Sequence, residues 1–333
     1  MTTALIIGAG HNGLVCAFYL AAAGIDVTIV ERRDVVGGAA VTEEFHPGFR
    51  NSTASYTVSL LQQKVIDDLD LYAHGLKIVE RAAPNFWPLG NEPGAYLKNA
   101  YSLEETQKEF ARHSEKDAAA LPGYYAAIEM AADVLRELVL ETPPNLGAPL
   151  ASGGWRDVLR ALKTGNRFRR LSVADQQMIL DLFTKSAAEF LAPWFENDAI
   201  RAGFAFDGIV GAYASPHTPG TAYVLLHHVF GNIGGRPGFW GHAIGGMGAV
   251  TQAMARAAEA RGVKIRTGAP VRRLIVDGGR AVGVKLEDGE ELRADLIAAN
   301  VNPKLLFREL AEKGDVPSAF ANRMAHYACG SGT

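Results

Sequence analysis

An α/β fold on a parallel sheet is predicted by three observations. The first apolar run breaks into Gly8-Ala9-Gly10-His11-Asn12-Gly13, and a stretch of helical period follows it. A second apolar run then ends on Glu31. After residue 240 a similar succession returns, joined by the hairpin signals Asp277-Gly278 and Asp288-Gly289.

Thr3 to Ile7 reads as a buried strand entering a turn. Leu14, Phe18 and Ala21 or Ala22 recur at helical spacing, and Gly24 stands where a left-handed C-cap is wanted. Asp26 to Val30 is the next strand. Glu31 follows Gly13 by 18 residues, close to the roughly 20-residue spacing of the dinucleotide fingerprint. In that reading Gly8 permits the tight turn, Gly10 lets the backbone reach a diphosphate, and Gly13 lets the helix sit close on the strand. The helix start, with His11 and Asn12, offers free N–H groups and a partial positive charge. Glu31 would accept from both ribose hydroxyls and repel a 2′-phosphate, which disfavours NADP. NAD and FAD share this fold, and the next residues tip the choice toward FAD. Arg32 to Ala40 brings a second glycine pair, Gly37-Gly38, within a short loop of the acid, where the backbone could return to a diphosphate.

From Leu60 to about Trp240 the sequence reads as mostly helical, with helices near Leu103 to Arg112, Tyr124 to Glu141, Trp155 to Lys163 and Val173 to Phe190. Glu141 to Gly154 is a proline- and glycine-rich connector, and Asp198 to Gly211 fits no element clearly. Gly245-Gly246-Met247-Gly248 then opens a helix from Ala249 to Arg261, closed by Gly262. Val263 to Arg266 is a strand. Val271 to Val276, Ala281 to Leu286 and Glu290 to Arg293 form a meander, and Leu296 to Ala299 returns as a buried strand ending at Asn300-Val301-Asn302-Pro303.

Composition excludes several classes. With 48% hydrophobic and 21% charged residues the chain is an ordinary globular one, and 36 glycines among 333 residues fit many tight turns. Thirty-three basic against 36 acidic residues give a net charge of −3, which argues against nucleic acid as a partner. Cys16 and Cys329 have no partner at metal or redox spacing. The longest apolar stretch, Gly13 to Ile25, spans 13 residues, short of the roughly 18 of a membrane helix. No basic segment precedes an apolar N-terminal run, so the expected location is the cytoplasm.

The runs GAGHNG, ER, GGAA and PGFRNSTASY resemble the phytoene-desaturase-related FAD-dependent oxidoreductases, within the amine-oxidase-like group of flavoproteins. DLFTKSAAEFLAPWF (Asp181 to Phe195), Ser215 to Tyr223, His227-His228 and Gly241 to Gly248 are similar to one branch, the bacterial relatives of the pyridine-nucleotide-disulphide-oxidoreductase-domain-containing protein. A disulphide reductase needs two cysteines facing the flavin, and this sequence cannot supply them. The resemblance implies a Rossmann-like, glutathione-reductase-like FAD domain with a β-meander, from residues 1–60 and 243–302. It also implies a largely helical α+β substrate domain from residues 61–242 and 303–333. It implies that the backbone of Val271 pairs with adenine and that Ala39, Ser55, Tyr56 and Asn300 lie along the cofactor. Members of the family continue beyond Gly330 to Thr333 to a last glycine-rich segment, so the chain reads as a fragment with weak FAD binding and an exposed apolar interface.

The expected function is therefore that of an FAD-dependent oxidoreductase taking a hydride equivalent from a C–C or C–N bond of a small apolar substrate, with an unknown electron acceptor. An NAD-dependent dehydrogenase and a non-catalytic flavin-fold binding protein are the alternatives. No catalytic residue is singled out, because the cofactor carries the redox step. His217, His227, His228 and His242 read as polar lining, since adjacent histidines point apart and no Cys, Asp or Glu joins them. Phe86, Trp87, Phe204, Phe206, Tyr213, Phe230, Phe239 and Trp240 fit either an apolar tunnel or core. Membrane-surface contact and oligomeric state are left open.

Overall fold

The computed structural model describes residues 1–147 and 154–329. The expected connector from Glu141 to Gly154 lies partly outside the described residues, Gly330 to Thr333 wholly so, and the side chain of His228 likewise. The chain forms two compact units, residues 1–81 with 240–329, and residues 82–239.

The first unit opens with β1 (Thr3–Ile7), α1 (His11–Ala22), β2 (Asp26–Val30), the hairpin of β3 (Thr42–His46) and β4 (Phe49–Ser52), α2 (Gln63–Asp68) and β5 (Ile78–Glu80). The second unit follows with β6 (Asn85–Pro88), β7 (Tyr96–Asn99), α3 (Leu103–Ala111), α4 (Glu115–Val139), α5 (Gly154–Arg169), α6 (Val173–Thr184), α7 (Ala187–Leu191) and α8 (Asp198–Asp207). It closes with a 3-10 turn (Thr221–Leu226), α9 (His227–Phe230) and the two-residue strands β8 (Asn232–Ile233) and β9 (Arg236–Pro237). The chain then returns to the first unit through β10 (Gly241–Ala243), α10 (Met247–Ala260), β11 (Lys264–Arg266), β12 (Val271–Asp277), β13 (Arg280–Leu286), β14 (Glu291–Arg293) and β15 (Leu296–Ala299). It ends in α11 (Pro303–Leu305), a π turn (Leu306–Leu310) and α12 (Ser318–Ala325).

In the first unit four parallel strands lie in the order β11-β2-β1-β15. Because β1 has neighbours on both sides and is covered on both faces, it reads as an unbroken apolar run rather than an alternating one. Its residues still alternate between the two faces. Leu5 and Ile7 join Val30, Leu274, Val284 and Leu286 in a core beneath the antiparallel meander β12-β13-β14. Ile6 lies against the other layer, where α1 buries Gly13, Leu14, Ala17 and Phe18 and packs beside α10. The unit is thus three layers deep, with helices over one face and a small sheet over the other.

The second unit centres on Tyr124 of α4, whose ring meets those of Trp194, Phe195 and Phe204 at centroid distances of 5.0 to 5.8 Å. Asp117, fully buried, accepts the backbone N–H groups of Glu196 and Asn197 at 2.9 Å each, where α8 begins. This carboxylate ties the first turn of α4 to the start of α8.

Several elements differ from expectation. The helix expected at Tyr124 begins at Glu115, because the Ser114 hydroxyl caps Asp117 N–H and the helix runs on through Pro122. The helix expected over Val173 to Phe190 is two helices. Lys185 turns extended, and Ser186 with Glu189 forms a capping box that starts α7. The unassigned stretch from Asp198 contains α8, capped by Asn197. The stretch read as helical from Leu60 to about Trp240 contains five short strands among its described residues, β5, β6, β7, β8 and β9. Of these, β5 pairs with β10, so the chain leaves the first unit at residue 81 and rejoins it at 240, and residues 303–329 also belong there. These boundaries differ from the 60, 243 and 302 read from sequence.

Candidate functional site

At the carboxyl end of β1 the chain turns sharply at Gly8, whose N–H donates to Val30 O at 2.8 Å. Gly8 has φ +100°, and a Cβ there would stand 3.0 Å from the Asn300 carbonyl oxygen. A Cβ on Gly13 would overlap the carbonyl oxygen of Gly8, so glycine lets the first turn of α1 rest directly on the bend. Gly10, by contrast, has φ −70° and room for a Cβ. Its nearest neighbours would be Asn300 Oδ1 at 3.5 Å and Gly38 Cα at 3.9 Å.

The second glycine pair lies against the first. Gly37 N–H donates to Ala9 O at 2.9 Å, Gly10 and Gly37 form a parallel bridge, and a Cβ on Gly38 would stand 3.2 Å from Gly10 Cα. Gly10 is the N-cap of α1 and no side chain caps that end. The backbone N–H groups of His11, Asn12 and Gly13 therefore start the helix without a capping side chain, between two walls that lack Cβ atoms. His11 and Asn12 are exposed, and partial desolvation holds the His11 imidazole below its ordinary pKa, which disfavours its charged form. An anionic group fits here on backbone donors and the helix dipole.

Glu31 is buried at the end of β2, 7% exposed. Its Oε2 accepts Ala9 N–H at 2.8 Å and its Oε1 accepts Arg33 N–H at 3.0 Å. A carboxylate offers about four acceptor positions, so two remain for hydroxyl donors. Its main chain is pinned as well, since Glu31 N–H donates to Arg266 O and Glu31 O accepts Ala269 N–H, each at 2.8 Å. Val271 opens β12 two residues further on. Arg32 is exposed. The neighbouring Arg33, which sequence reasoning passed over, reaches Glu31 through its N–H and pairs its guanidinium with Glu43.

Ser55 N–H donates to Ala39 O at 3.3 Å and Thr53 N–H to Val41 O at 3.1 Å, so residues 53–55 run alongside the chain that leaves Gly38. Asn300 N–H donates to Ile7 O at 2.9 Å, and the residue is exposed beside the Gly8 turn. The structure thus brings Gly8, Gly10, Gly37, Gly38, Ala39, Ser55 and Asn300 to one end of the sheet, with Glu31 at its side. Tyr56 lies further on. Together with Thr42, Arg50, Asn51, Ser52, His242, Gly245, Gly246 and Met247 it lines a cleft of about 440 Å³. The Arg81 guanidinium lies over the rings of Tyr56 and Trp240, at 5.8 and 5.3 Å.

Sequence reasoning missed Thr42 and Ser52. Gly248 N–H donates to Thr42 Oγ1 at 2.9 Å and Met247 N–H to Ser52 Oγ at 3.0 Å, so the hairpin hydroxyls cap α10 from across the chain. The signal was the glycine spacing, because a Cβ on Gly248 would stand 2.7 Å from Thr42 N. The histidines fall in both units. His242 is on β10 in the first unit, whereas His217 and His227 belong to the second. The aromatic residues also divide. Phe204, Phe239 and Trp240 are buried, while Phe86, Phe206 and Tyr213 are exposed. Among the described residues no three His, Cys, Asp or Glu side chains gather to hold a metal, and no helix is long and apolar enough to cross a membrane.

Fold and site together define a parallel α/β protein with a glycine-lined, anion-accepting turn beside a buried acidic residue, the arrangement of nucleotide-cofactor proteins. The chain belongs to the flavin containing amine oxidoreductase family, whose pattern matches residues 13–328. It is 39% identical over 331 residues to pyridine nucleotide-disulfide oxidoreductase domain-containing protein 2 of Rattus norvegicus, a match covering 97% of this chain and 57% of that protein. It is 29% identical over 321 residues to the lycopene-forming phytoene desaturase of a Paracoccus species, covering 92% of this chain and 56% of the desaturase. A putrescine oxidase structure superposes with a TM-score of 0.56 at 21% identity, over 98% of this chain and 63% of the oxidase, and shows the same fold. The chain spans a little over half the length of the curated relatives it matches.

Proposed function

We propose that this chain carries the FAD-binding part of an oxidoreductase of desaturase or oxidase type, one that takes a hydride equivalent from a C–C or C–N bond of an apolar small molecule. The observation that carries the reading is the meeting of Gly10 with Gly37-Gly38 at the uncapped start of α1, beside buried Glu31. Membership of a flavin containing family supports FAD over NAD. The domain plan proposed is a glutathione-reductase-like FAD domain with its meander, and a largely helical substrate domain formed mainly by the 82–239 unit.

FAD supplies the two-electron chemistry when bound, and the protein supplies position and surroundings. The open lone pairs of Glu31 would take the adenosine ribose hydroxyls. The N–H groups of His11, Asn12 and Gly13, with the Gly37-Gly38 backbone, would hold the diphosphate. The Val271 backbone would meet adenine, with Arg32 at the rim. Ala39, Ser55 and Asn300 would flank the remainder of the cofactor toward the flavin ring. Buried, and accepting from two backbone N–H groups with no cationic side chain at hydrogen-bond distance among the described residues, the Glu31 carboxylate would repel a 2′-phosphate.

Titration of this chain with FAD, followed by flavin fluorescence and by melting temperature, tests the reading. Saturable FAD binding without response to NAD or NADP is expected. Protection by NAD and not by FAD would overturn it in favour of a dehydrogenase. With FAD bound, failure of every amine or polyene donor to bleach the flavin would favour a non-catalytic binding protein.

A further inference from the structure

Helix α5 carries an apolar stripe that turns away from its own unit's core. Trp155, Val158, Leu159 and Leu162 repeat at i, i+3, i+4 and i+7, on one face of a helix. They are 52, 39, 55 and 63% exposed. The opposite arc, Ala161, Thr164 and Phe168, is half-buried, and Phe168 packs against the core of the second unit. The helix thus docks by one face and leaves a second apolar face open.

Between the two faces runs a basic edge, Arg156, Arg160, Lys163 and Arg167, again at helical spacing. Residues 154–170 hold six basic side chains and one acidic, in a chain whose net charge is −3, so positive charge is concentrated here. Its partners are surface groups. Arg160 pairs with Asp157 at 2.9 Å, Lys163 with Glu141 at 3.4 Å and Arg167 with Glu137 and Glu141 at 3.4 and 3.1 Å. The Lys163 pair is the most exposed, whereas Asp157 and Arg167 are half-buried, and pairs at a partly solvated surface contribute little stability. The Arg156 guanidinium lies 5.3 Å over the Trp155 ring, extending the stripe at its first turn.

We propose that α5 is an interfacial anchor that lies in the headgroup layer of an anionic lipid bilayer, its apolar stripe toward the acyl chains and its basic edge against the phosphates. The charge complementarity selects this occupant. An apolar face bordered by arginine and lysine, with a tryptophan at its margin, is the composition of a surface-lying helix. The same charges and the 16-residue length exclude spanning. The inference stands apart from the redox reading. If both hold, the anchor brings the substrate unit to the phase in which apolar molecules dissolve.

The test is co-flotation of the 333-residue chain with phosphatidylcholine vesicles, with and without phosphatidylglycerol, at low and high salt. Flotation is expected with the anionic vesicles, weakened by salt. The double substitution Leu159→Glu and Leu162→Glu should reduce the bound fraction at least tenfold. Because both side chains are exposed, the variant should keep the parent's circular dichroism and melting temperature. Arg156→Gln with Arg160→Gln should lower binding to anionic vesicles and leave the weak binding to neutral ones unchanged. No flotation with either vesicle, or flotation that Leu159→Glu and Leu162→Glu leave intact, would overturn the proposal. So would a dimer in the parent chain that this variant abolishes, because the stripe would then be the contact with a second copy.

Discussion

Gly10 and Gly13 lie three residues apart in one motif, yet their surroundings give alanine different effects at the two positions. At Gly13 an added Cβ overlaps the Gly8 carbonyl oxygen, a backbone atom that cannot swing aside, so the first turn of α1 must lift from the bend. Overpacking of this kind costs about 1–3 kcal/mol, against which the better helix propensity of alanine returns at most about 1 kcal/mol. For a unit of this size about 1–2 kcal/mol net lowers the melting temperature by roughly 2–8 °C. At Gly10 the backbone is already in an ordinary conformation, and the nearest atoms to a Cβ stand at 3.5 and 3.9 Å. Gly10→Ala should change stability by less than about 1 kcal/mol, because the gain from a less flexible unfolded chain is offset by the poor fit of alanine at an N-cap. It should nevertheless weaken FAD binding at least tenfold, because the methyl group occupies the approach to the α1 donors and one charge-assisted hydrogen bond is worth about 1.5–3 kcal/mol. Thermal unfolding of both variants, paired with flavin fluorescence titration, reads the two effects separately. Equal destabilisation by the two substitutions, or full FAD affinity in Gly10→Ala, would refute the division of roles.

Other outcomes follow from the same geometry. Thr42→Val removes the hydroxyl that caps Gly248 N–H in a buried setting, and urea unfolding should show a loss of about 1–2 kcal/mol. Asp117→Ala leaves the N–H groups of Glu196 and Asn197 without their acceptor, and the expected loss is about 2–5 kcal/mol. A loss below about 1 kcal/mol would mean that water replaces the carboxylate. The Tyr19 hydroxyl donates to Asp68 at 2.6 Å, and burial together with this bond pushes its pKa up to about 12. The fold thus favours the protonated phenol, and that contribution is complete below about pH 10 and lost as pH rises toward 12. The melting-temperature gap between the parent and Tyr19→Phe should therefore narrow from pH 9 to 12. A gap independent of pH would sink the assignment.

The opening βαβ unit was legible because its signals are local. The bounds of β1 and β2 agree with the apolar runs, and glycines that permit close approach stand beside the strand they serve. The meander was legible for the same reason, its Asp-Gly turns fixing register. What escaped depends on partners far along the chain. Nothing near Thr42 announces that its hydroxyl will cap a helix 206 residues away. Strands β5 and β10 are three residues each and take their identity from one another, so neither stands out from a helical background. The start of α4 was hidden because Pro122-Gly123 reads as a stop, although the cap at Ser114 lies eight residues earlier. Beside Glu31 the sequence shows two adjacent arginines, and only the path of the chain reveals that Arg33 N–H returns to the Glu31 carboxylate while Arg32 faces solvent.

The strand order carries a consequence for the protein's birth on the ribosome. Strand β1 is made first, yet it pairs on one side with β2 and on the other with β15, whose last residue is Ala299. At about 5–20 residues per second, roughly 15–60 s pass between the two. For that interval one edge of a strand that is apolar from Ala4 to Ile7 lies open, while the 82–239 segment emerges with all of its own core residues. The helical unit can therefore finish while the sheet waits. A nascent chain stalled near residue 240 should show a protease-resistant 82–239 segment attached to an N-terminal βαβ that still engages chaperones.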